Sequence, residues 1–241
     1  MKPKKLLLII GIILFMGGCS DFFMICSLNP FYLEKNVVLS PEIEGNWSAN
    51  SLRAKSDTGK QEYAIWELAD TVSAWQIKQF ISEQTVKTKR GKDSTVFKPQ
   101  NFYLVKLMDK HPDSTQYQYK LVLFRIKGFL YADFTPYETQ AIMRSRMAKE
   151  NYLTVHTLAR ITIQNKQFRI SWLGTDYMKE MIENKRVRVK YRYVPDAKRL
   201  LLTASSEDLT NMIERYGDET RFIDWKDQPA QLMLTRINQL P

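Results

Sequence analysis

Cysteine and histidine are scarce in this chain of 241 residues, which contains two residues of each type. The cysteines are Cys19 and Cys26, and the histidines, His111 and His156, are far apart in the sequence. A structural zinc ion needs four clustered thiolate or imidazole ligands. The sequence therefore nearly excludes such a site, and we predict neither a metal nor another cofactor.

Several catalytic signatures are also missing. The chain has no glycine-rich phosphate loop and no Gly-x-Ser-x-Gly, His-Glu-x-x-His or Cys-x-x-Cys motif. His156 belongs to a predicted strand, and no acid or nucleophile lies close to it in sequence. We predict that the protein is not an enzyme, although the scattered Asp and Glu residues leave a pair of catalytic carboxylates open.

Acidic residues are fewer than basic ones, with 26 Asp and Glu against 36 Lys and Arg, so the net charge is +10. A charge of this sign favours anionic partners over cationic ones. Lipid phosphates, acidic glycans and phospholipid headgroups are the candidates, and we expect no nucleic-acid partner.

Residues 1–19 have the layout of a secretory signal. Three lysines precede an apolar run over residues 6–16, and two glycines then lead to Cys19. This ending resembles the signal of a bacterial lipoprotein, in which the cysteine is acylated and becomes the new N-terminus. We therefore expect residues 1–18 to be removed, Cys19 to be lipidated, and the following domain to lie outside the cytoplasm.

An uncleaved membrane span over residues 6–28 is the alternative, because that stretch is long enough to cross a bilayer of about 30 Å. Asp21 argues against it, since a carboxylate near the middle of a span costs about 2.5–3.5 kcal/mol on insertion scales. Both hypotheses place the domain on the same side of the membrane.

Residues 19–35 are predicted to be a lipid anchor followed by an apolar tether. The segment is too rich in large apolar side chains to stay in water. We expect it to lie in the membrane interface as far as Ile25 and to dock on the domain from Leu28. With lipid on Cys19, Cys26 has no thiol partner, so the domain must be stable without a disulfide.

Residues 36–241 are predicted to form a single β-rich domain. Apolar residues alternate with polar ones along much of this stretch, and Lys127-Gly128 is typical of a two-residue β-hairpin. Thr135-Pro136 predicts the start of a helix, and a capping box begins another helix at Ser205. The predicted fold is a mainly antiparallel β-barrel or strongly curved sheet with two or three short helices.

Gly45-Asn46-Trp47 resembles the opening strand of lipocalin-like barrels. The resemblance implies that the indole plugs one end of the barrel and that a basic residue of the last strand packs on it. Arg236 occupies the predicted last strand, so we expect contact between Trp47 and Arg236. A core tryptophan without a special role is the alternative.

Residues 186–193 alternate strictly between basic and apolar residues, which predicts a strand with one charged face. That face carries Arg186, Arg188, Lys190 and Arg192. Two interpretations remain open: a solvated face, which can also block unwanted strand pairing, or a contact with an anionic lipid or glycan.

A set of uncharacterised bacterial lipoproteins is similar to the chain in several short motifs. They are Ser27-Leu28-Asn29-Pro30-Phe31-Tyr32, Gly45-Asn46-Trp47, His156-Thr157, Trp172-Leu173 and Leu201-Leu202-Thr203-Ala204-Ser205. The resemblance implies a location in the cell envelope, with the outer membrane favoured in a two-membrane cell. It assigns no activity and no functional residue.

Two functions fit these observations. The first is a membrane-anchored binding or carrier module, because a barrel of about eight strands can enclose one small apolar ligand such as a lipid. The second is a structural or assembly lipoprotein that binds another envelope protein. An apolar cavity favours the first function, whereas a filled barrel with an exposed apolar patch favours the second.

Overall fold

A computed structural model describes residues 24–50, 72–87, 93–109, 117–137, 154–194, 199–219 and 231–238 of the chain. Its strands are β1 (Cys26–Ser27), β2 (Gly45–Asn50), β3 (Val72–Lys87), β4 (Asp93–Asp109), β5 (Tyr117–Ile126), β6 (Phe129–Pro136), β7 (His156–Gln164), β8 (Gln167–Trp172), β9 (Tyr191–Val194), β10 (Arg199–Leu202) and β11 (Gln231–Ile237). The α-helices of the described residues are α1 (Thr175–Glu183) and α2 (Ser206–Tyr216), and two 3₁₀ turns cover Glu34–Asn36 and Pro41–Ile43.

Eight of these strands form a closed antiparallel barrel. They follow one another in the order β6-β5-β4-β3-β2-β11-β8-β7, and pairing between β6 and β7 closes the ring. Outside the ring, β1 pairs with β7 and also with β10, which in turn pairs with β9. The predicted antiparallel β-barrel with short helices is confirmed.

The turn between β5 and β6 shows how local sequence sets the barrel register. Lys127 has a φ of 48° and Gly128 a φ of 82°, the left-handed pair that a two-residue hairpin requires. This turn pairs Ile126 with Phe129, and every later pair of the two strands follows from it. The hairpin predicted at Lys127-Gly128 is confirmed.

Both faces of β5 are buried over residues 121–124, because the barrel wall separates two hydrophobic cores. Leu121 and Leu123 point into the barrel, whereas Phe124 and Ile126 point outward into a second core. The outer core lies between the barrel wall, the two helices and the segment that begins at Ile25. This arrangement explains why residues 121–126 of β5 are an almost continuous apolar run rather than an alternating one.

Helix α2 covers the outer core as its sequence predicts. The Ser205 hydroxyl accepts a hydrogen bond from the backbone N–H of Asp208, which caps the first turn. The apolar stripe of the helix is buried, and Gly217 ends it by donating its N–H to the carbonyl of Ile213. A side chain at Gly217 would clash with that carbonyl, at 2.5 Å from the Cβ position.

The segment before the barrel is part of the domain earlier than predicted. Ile25 is fully buried, and Cys26 and Ser27 form β1. The expectation that residues up to Ile25 lie in the membrane interface is therefore wrong at Ile25, which belongs to the outer core. The backbone of β1 pairs with two neighbouring strands, β7 and β10. The apolar composition of the segment does not predict this pairing.

The expectation of a helix that begins at Thr135-Pro136 is also wrong at these two residues. The barrel strand β6 continues through Pro136, and Thr135 pairs with Lys120 of β5. Cross-strand pairing overrides the local capping signal at these two residues. Tyr137 is not helical either, and the predicted helix from residue 138 onward lies outside the described residues.

Candidate functional site

Trp47 lies in the first barrel strand, and its side chain points into the barrel interior. Its indole N–H donates to the carbonyl of Ile43 at 2.8 Å, and its ring packs on Phe168 with 5.5 Å between centroids. The guanidinium of Arg236 lies over the indole, 4.8 Å from the ring centroid. The predicted contact between Trp47 and Arg236 is thus present, in neighbouring strands.

Gly45 supplies an unusual backbone conformation beside this contact. Its φ of 133° is a conformation that residues with a side chain rarely adopt, and a Cβ there would lie 3.5 Å from Nη1 of Arg236. The guanidinium also donates from Nη2 to the carbonyl of Glu42. Arg236 therefore fastens the last described strand to the start of the first barrel strand.

Large aromatic side chains occupy the barrel interior between the described strands. Trp47, Trp75, Tyr103, Phe134 and Phe168 all belong to its cluster of buried residues. Trp75 contacts Phe134 edge to face, with 6.4 Å between ring centroids. These side chains fill part of the barrel interior.

Asp133 is fully buried on the outer face of the barrel wall, where it holds the N-terminal segment. Its Oδ2 accepts the backbone N–H of Phe31 at 2.9 Å, and its Oδ1 lies 2.7 Å from Nδ1 of His156. Phe31 is itself completely buried in the outer core. The carboxylate thus links β6, β7 and the segment that follows β1.

Sequence reasoning missed Asp133, because it assigned no acidic neighbour to His156. The two residues are brought together by the β6–β7 pairing, in which Asp133 is opposite Leu158. Ser27 is the register partner of His156, but its hydroxyl accepts the N–H of Asn29, and no hydrogen bond joins it to the imidazole. Among these described residues, the Asp133 carboxylate links His156 to the backbone of Phe31, and the Ser27 hydroxyl is not part of that link.

The basic segment follows β-strand geometry over only part of its predicted length. β9 covers Tyr191–Val194, and residues 187–190 are irregular. The strand predicted over residues 186–193 is therefore wrong in its first half. Within β9, Tyr191 and Tyr193 are exposed, as are the basic residues beside them.

A helix-ending motif explains why the segment leaves strand geometry. Lys185 has a φ of 54°, and its N–H donates to the carbonyl of Ile182 while that of Arg186 donates to Met181. These two bonds form the Schellman motif that terminates α1. The chain leaves the helix in a direction that places Val187 in the outer core beside α2.

A groove with a volume of about 440 Å³ lies between this segment and α2. Its cationic lining residues are Lys185, Arg186, Arg188 and Arg215, and its polar and apolar lining residues are Asp208, Asn211, Val187, Val189, Met212 and Tyr216. Two of the four predicted surface-contact residues, Arg186 and Arg188, line the groove. Lys190 and Arg192 are exposed but do not line it.

The longest pair of strands extends beyond the barrel wall. β3 and β4 remain paired as far as Lys87 and Asp93, whereas β4 pairs with β5 only between Tyr103 and Leu107. In the described strands, the outer part of this hairpin is thus a two-stranded ribbon. We call Gln79–Lys87 with Asp93–Asn101 the ribbon.

The ribbon carries exposed apolar side chains. Ile81 pairs with Pro99, and Phe97 lies two residues from Pro99 on the same face. Phe97 is 67% exposed and Ile81 is 55% exposed. We call Ile81, Phe97 and Pro99 the ribbon patch; sequence reasoning did not single it out, because these residues resemble an ordinary half-buried strand.

Cys19, the predicted lipidation site, lies outside the described residues. Over the described ranges, no helix is long and apolar enough to cross a membrane. The same part of the chain contains no group of three or more His, Cys, Asp or Glu residues that could hold a metal ion.

Comparison with known proteins adds no relative. A scan against protein-family models, a search of curated proteins and a search of solved structures return no match to this chain. The barrel, the groove and the ribbon are the features of the described residues that bear on function.

Proposed function

We propose that this protein is a lipoprotein of the bacterial cell envelope, anchored through Cys19, that binds another envelope protein through the ribbon patch. The observation that carries the proposal is the exposure of Phe97 and Ile81 on a ribbon that stands clear of the barrel. The proposal selects the second of the two functions that the sequence leaves open.

An exposed two-stranded ribbon is energetically unfavourable for a protein. A two-stranded hairpin is marginally stable in water, because it has only one neighbour for each strand and no covered face. Here residues 83–85 and 95–99 are all exposed, so neither face of this part of the ribbon packs on the domain. A partner that covers the ribbon patch would supply the missing burial, at about 25 cal/mol for each Å² of apolar surface.

The side-chain face, rather than the strand edge, is the expected contact. Pro99 lacks a backbone N–H and Lys98 adds charge, and both features protect an edge strand against pairing with another chain. Strand addition to β4, including pairing with a second copy of this chain, is therefore disfavoured. We commit to a partner protein with an apolar groove that accepts Phe97 and Ile81.

The base of the ribbon is fixed to the barrel, which suits an interaction arm. Phe80 and Phe102 stack with 4.9 Å between ring centroids, and the ammonium of Lys120 lies 4.8 Å from the Phe102 centroid. The Gln79 side chain also donates to the carbonyl of Gln100 at 3.0 Å. The ribbon is thus oriented before binding, which lowers the entropic cost of association.

Site-specific photo-crosslinking tests the proposal in intact cells. A photoreactive phenylalanine analogue at Phe97 should form a defined adduct with one envelope protein, whereas the same analogue at exposed Arg169 on β8 should not. Purified partner and detergent-solubilised lipoprotein should then form a complex that Ile81→Ser/Phe97→Ser abolishes and Leu39→Ser does not. Leu39 is a matched control because its apolar side chain is also exposed.

Native mass spectrometry of the purified protein separates the remaining alternatives. A bound lipid that survives Ile81→Ser/Phe97→Ser would support the carrier function instead. A homodimer lost in that double variant would show that a second copy covers the patch. Equal crosslinking from positions 97 and 169 would overturn the proposal.

A further inference from the structure

We propose that the groove between residues 185–189 and α2 is a binding site for a phosphomonoester group. The inference is independent of the ribbon patch and goes beyond the proposed protein partner. It also differs from a flat charged strand face, because the groove combines residues from two separate parts of the chain.

The lining of the groove is strongly cationic. Lys185, Arg186, Arg188 and Arg215 supply four positive charges, and Asp208 is its one carboxylate. The Asp208 carboxylate also accepts the hydroxyl of Ser205 at 3.0 Å, so part of its hydrogen-bonding capacity is used within α2. An anion entering the groove therefore meets a clear excess of positive charge.

The floor of the groove is apolar, which strengthens these charges. Val187 and Met212 are buried in the outer core, and the ring of Tyr216 is almost fully buried. Charges that face a low-dielectric wall on one side are screened less than charges surrounded by water. The same arginines therefore attract an anion more strongly here than on an open surface.

Arg186 is held in place from several directions. Its Nη2 donates to Oε1 of Glu219 at 2.7 Å, its backbone carbonyl accepts the hydroxyl of Tyr216, and its guanidinium lies 5.9 Å from the Tyr216 ring centroid. Arg215 lies over the same ring at 5.4 Å. Arg186 is thus paired with Glu219. The other three groove cations, Lys185, Arg188 and Arg215, have no acidic side chain within 4 Å among the described residues.

Phosphate suits this set of donors. A dianionic phosphomonoester has three strong acceptor oxygens, and planar guanidinium groups bind two of them with parallel hydrogen bonds. The Asn211 amide offers a further donor for a neighbouring hydroxyl. A volume of about 440 Å³ falls within the range of small-ligand sites and accommodates a phosphorylated sugar or a lipid phosphate headgroup.

The detergent-solubilised protein can be titrated with probes that separate these two sources. Glucose 6-phosphate, with glucose as its neutral match, tests a soluble phosphorylated saccharide. Dihexanoyl phosphatidic acid, with dihexanoyl phosphatidylcholine as its match, tests a lipid headgroup. Binding is followed by NMR of the backbone amides and the arginine Nε–H groups.

Arg188→Gln/Arg215→Gln removes two charge-assisted donors, so the Kd of the phosphate probe should rise at least about tenfold. Arg169→Gln/Lys35→Gln removes the same charge from exposed positions outside the groove and should change the Kd less than about twofold. If both double variants melt at the wild-type temperature, neither change in affinity is caused by unfolding. Saturation by either phosphate probe identifies the source and supports the site.

Two results would overturn the inference. One is a wild-type protein that binds neither phosphate probe more tightly than its neutral match. The other is an equal loss of affinity in the two double variants, which would show that binding depends on the overall positive charge and not on the groove.

Discussion

Arg236 in the last described strand lies directly opposite Trp47 in the first barrel strand, with its guanidinium 4.8 Å from the centre of the indole. The two residues are register partners of β11 and β2, so the contact depends on closure of the barrel rather than on sequence proximity.

Replacing Arg236 with alanine should lower stability without changing the fold. The cation–π contact is worth about 0.5–2 kcal/mol, and the bond to the Glu42 carbonyl adds about 1 kcal/mol at this exposed position. The expected fall in Tm is about 3–10 °C by calorimetry. Arg169→Ala, in neighbouring β8, removes the same charge and serves as the control; an equal fall in both variants would contradict the role of the indole.

Asp133→Ala should be among the most destabilising single changes. It leaves the buried N–H of Phe31 and the imidazole of His156 without their acceptor, at about 1–3 kcal/mol for each unsatisfied group. Urea unfolding measures the loss, and faster hydrogen exchange at the Phe31 amide locates it.

Two comparisons control for Asp133→Ala. Asp133→Asn keeps one carbonyl oxygen and should lose less stability. Asp218→Ala removes an exposed carboxylate, 3.7 Å from the Lys127 ammonium, and should cost less than about 1 kcal/mol. Slow exchange at Phe31 in Asp133→Ala would show that the carboxylate does not hold this segment.

Alkaline pH should destabilise the protein through two tyrosines. Burial is the main reason that the pKa values of Tyr32 and Tyr131 rise from 10.0 to about 12. The unfolded chain therefore releases both phenolic protons above pH 10, whereas the folded protein keeps them until about pH 12. With respect to these two groups, the free energy of unfolding keeps its full value below pH 10. It falls as the pH rises toward 12, by up to about 1.4 kcal/mol per pH unit for each group.

Tyr131→Phe isolates one of these contributions. Near neutral pH the variant should be less stable by about 1 kcal/mol, because it lacks the hydrogen bond from the phenol to the Gly217 carbonyl. Above pH 10 its urea midpoint should fall less steeply than that of the wild type. A wild-type slope in Tyr131→Phe would contradict the assignment.

Cys19→Ala should abolish acylation and leave an unprocessed precursor, because the thiol is the predicted acceptor of the lipid. Intact mass spectrometry distinguishes the precursor from the acylated mature chain. Cys26→Ala provides the control, since Cys26 is buried in β1 and should not affect processing. An unmodified Cys19 in the mature wild-type protein would refute the anchor.

Local sequence signals determined the parts of the structure that depend on near neighbours. The hairpin at Lys127-Gly128 follows from two backbone conformations, and the start of α2 follows from one hydroxyl at Ser205 that meets a free N–H. The Gly45-x-Trp47 pattern indicated the contact with Arg236 only through resemblance. Once β2 and β11 are neighbours, strand register makes that contact possible.

Tertiary structure decided everything that depends on which strands meet. Asp133 is an ordinary acidic residue in the sequence and becomes the acceptor for Phe31 and His156 only after β6, β7 and the N-terminal segment pack together. The alternation of residues 186–193 predicted one charged face, but the Schellman motif at Lys185 turns the chain beside α2 and forms a groove instead. Alternation determines the side of a strand on which a residue lies, whereas long-range packing determines what covers that side. For the same reason, the sequence does not show that the ribbon patch is exposed.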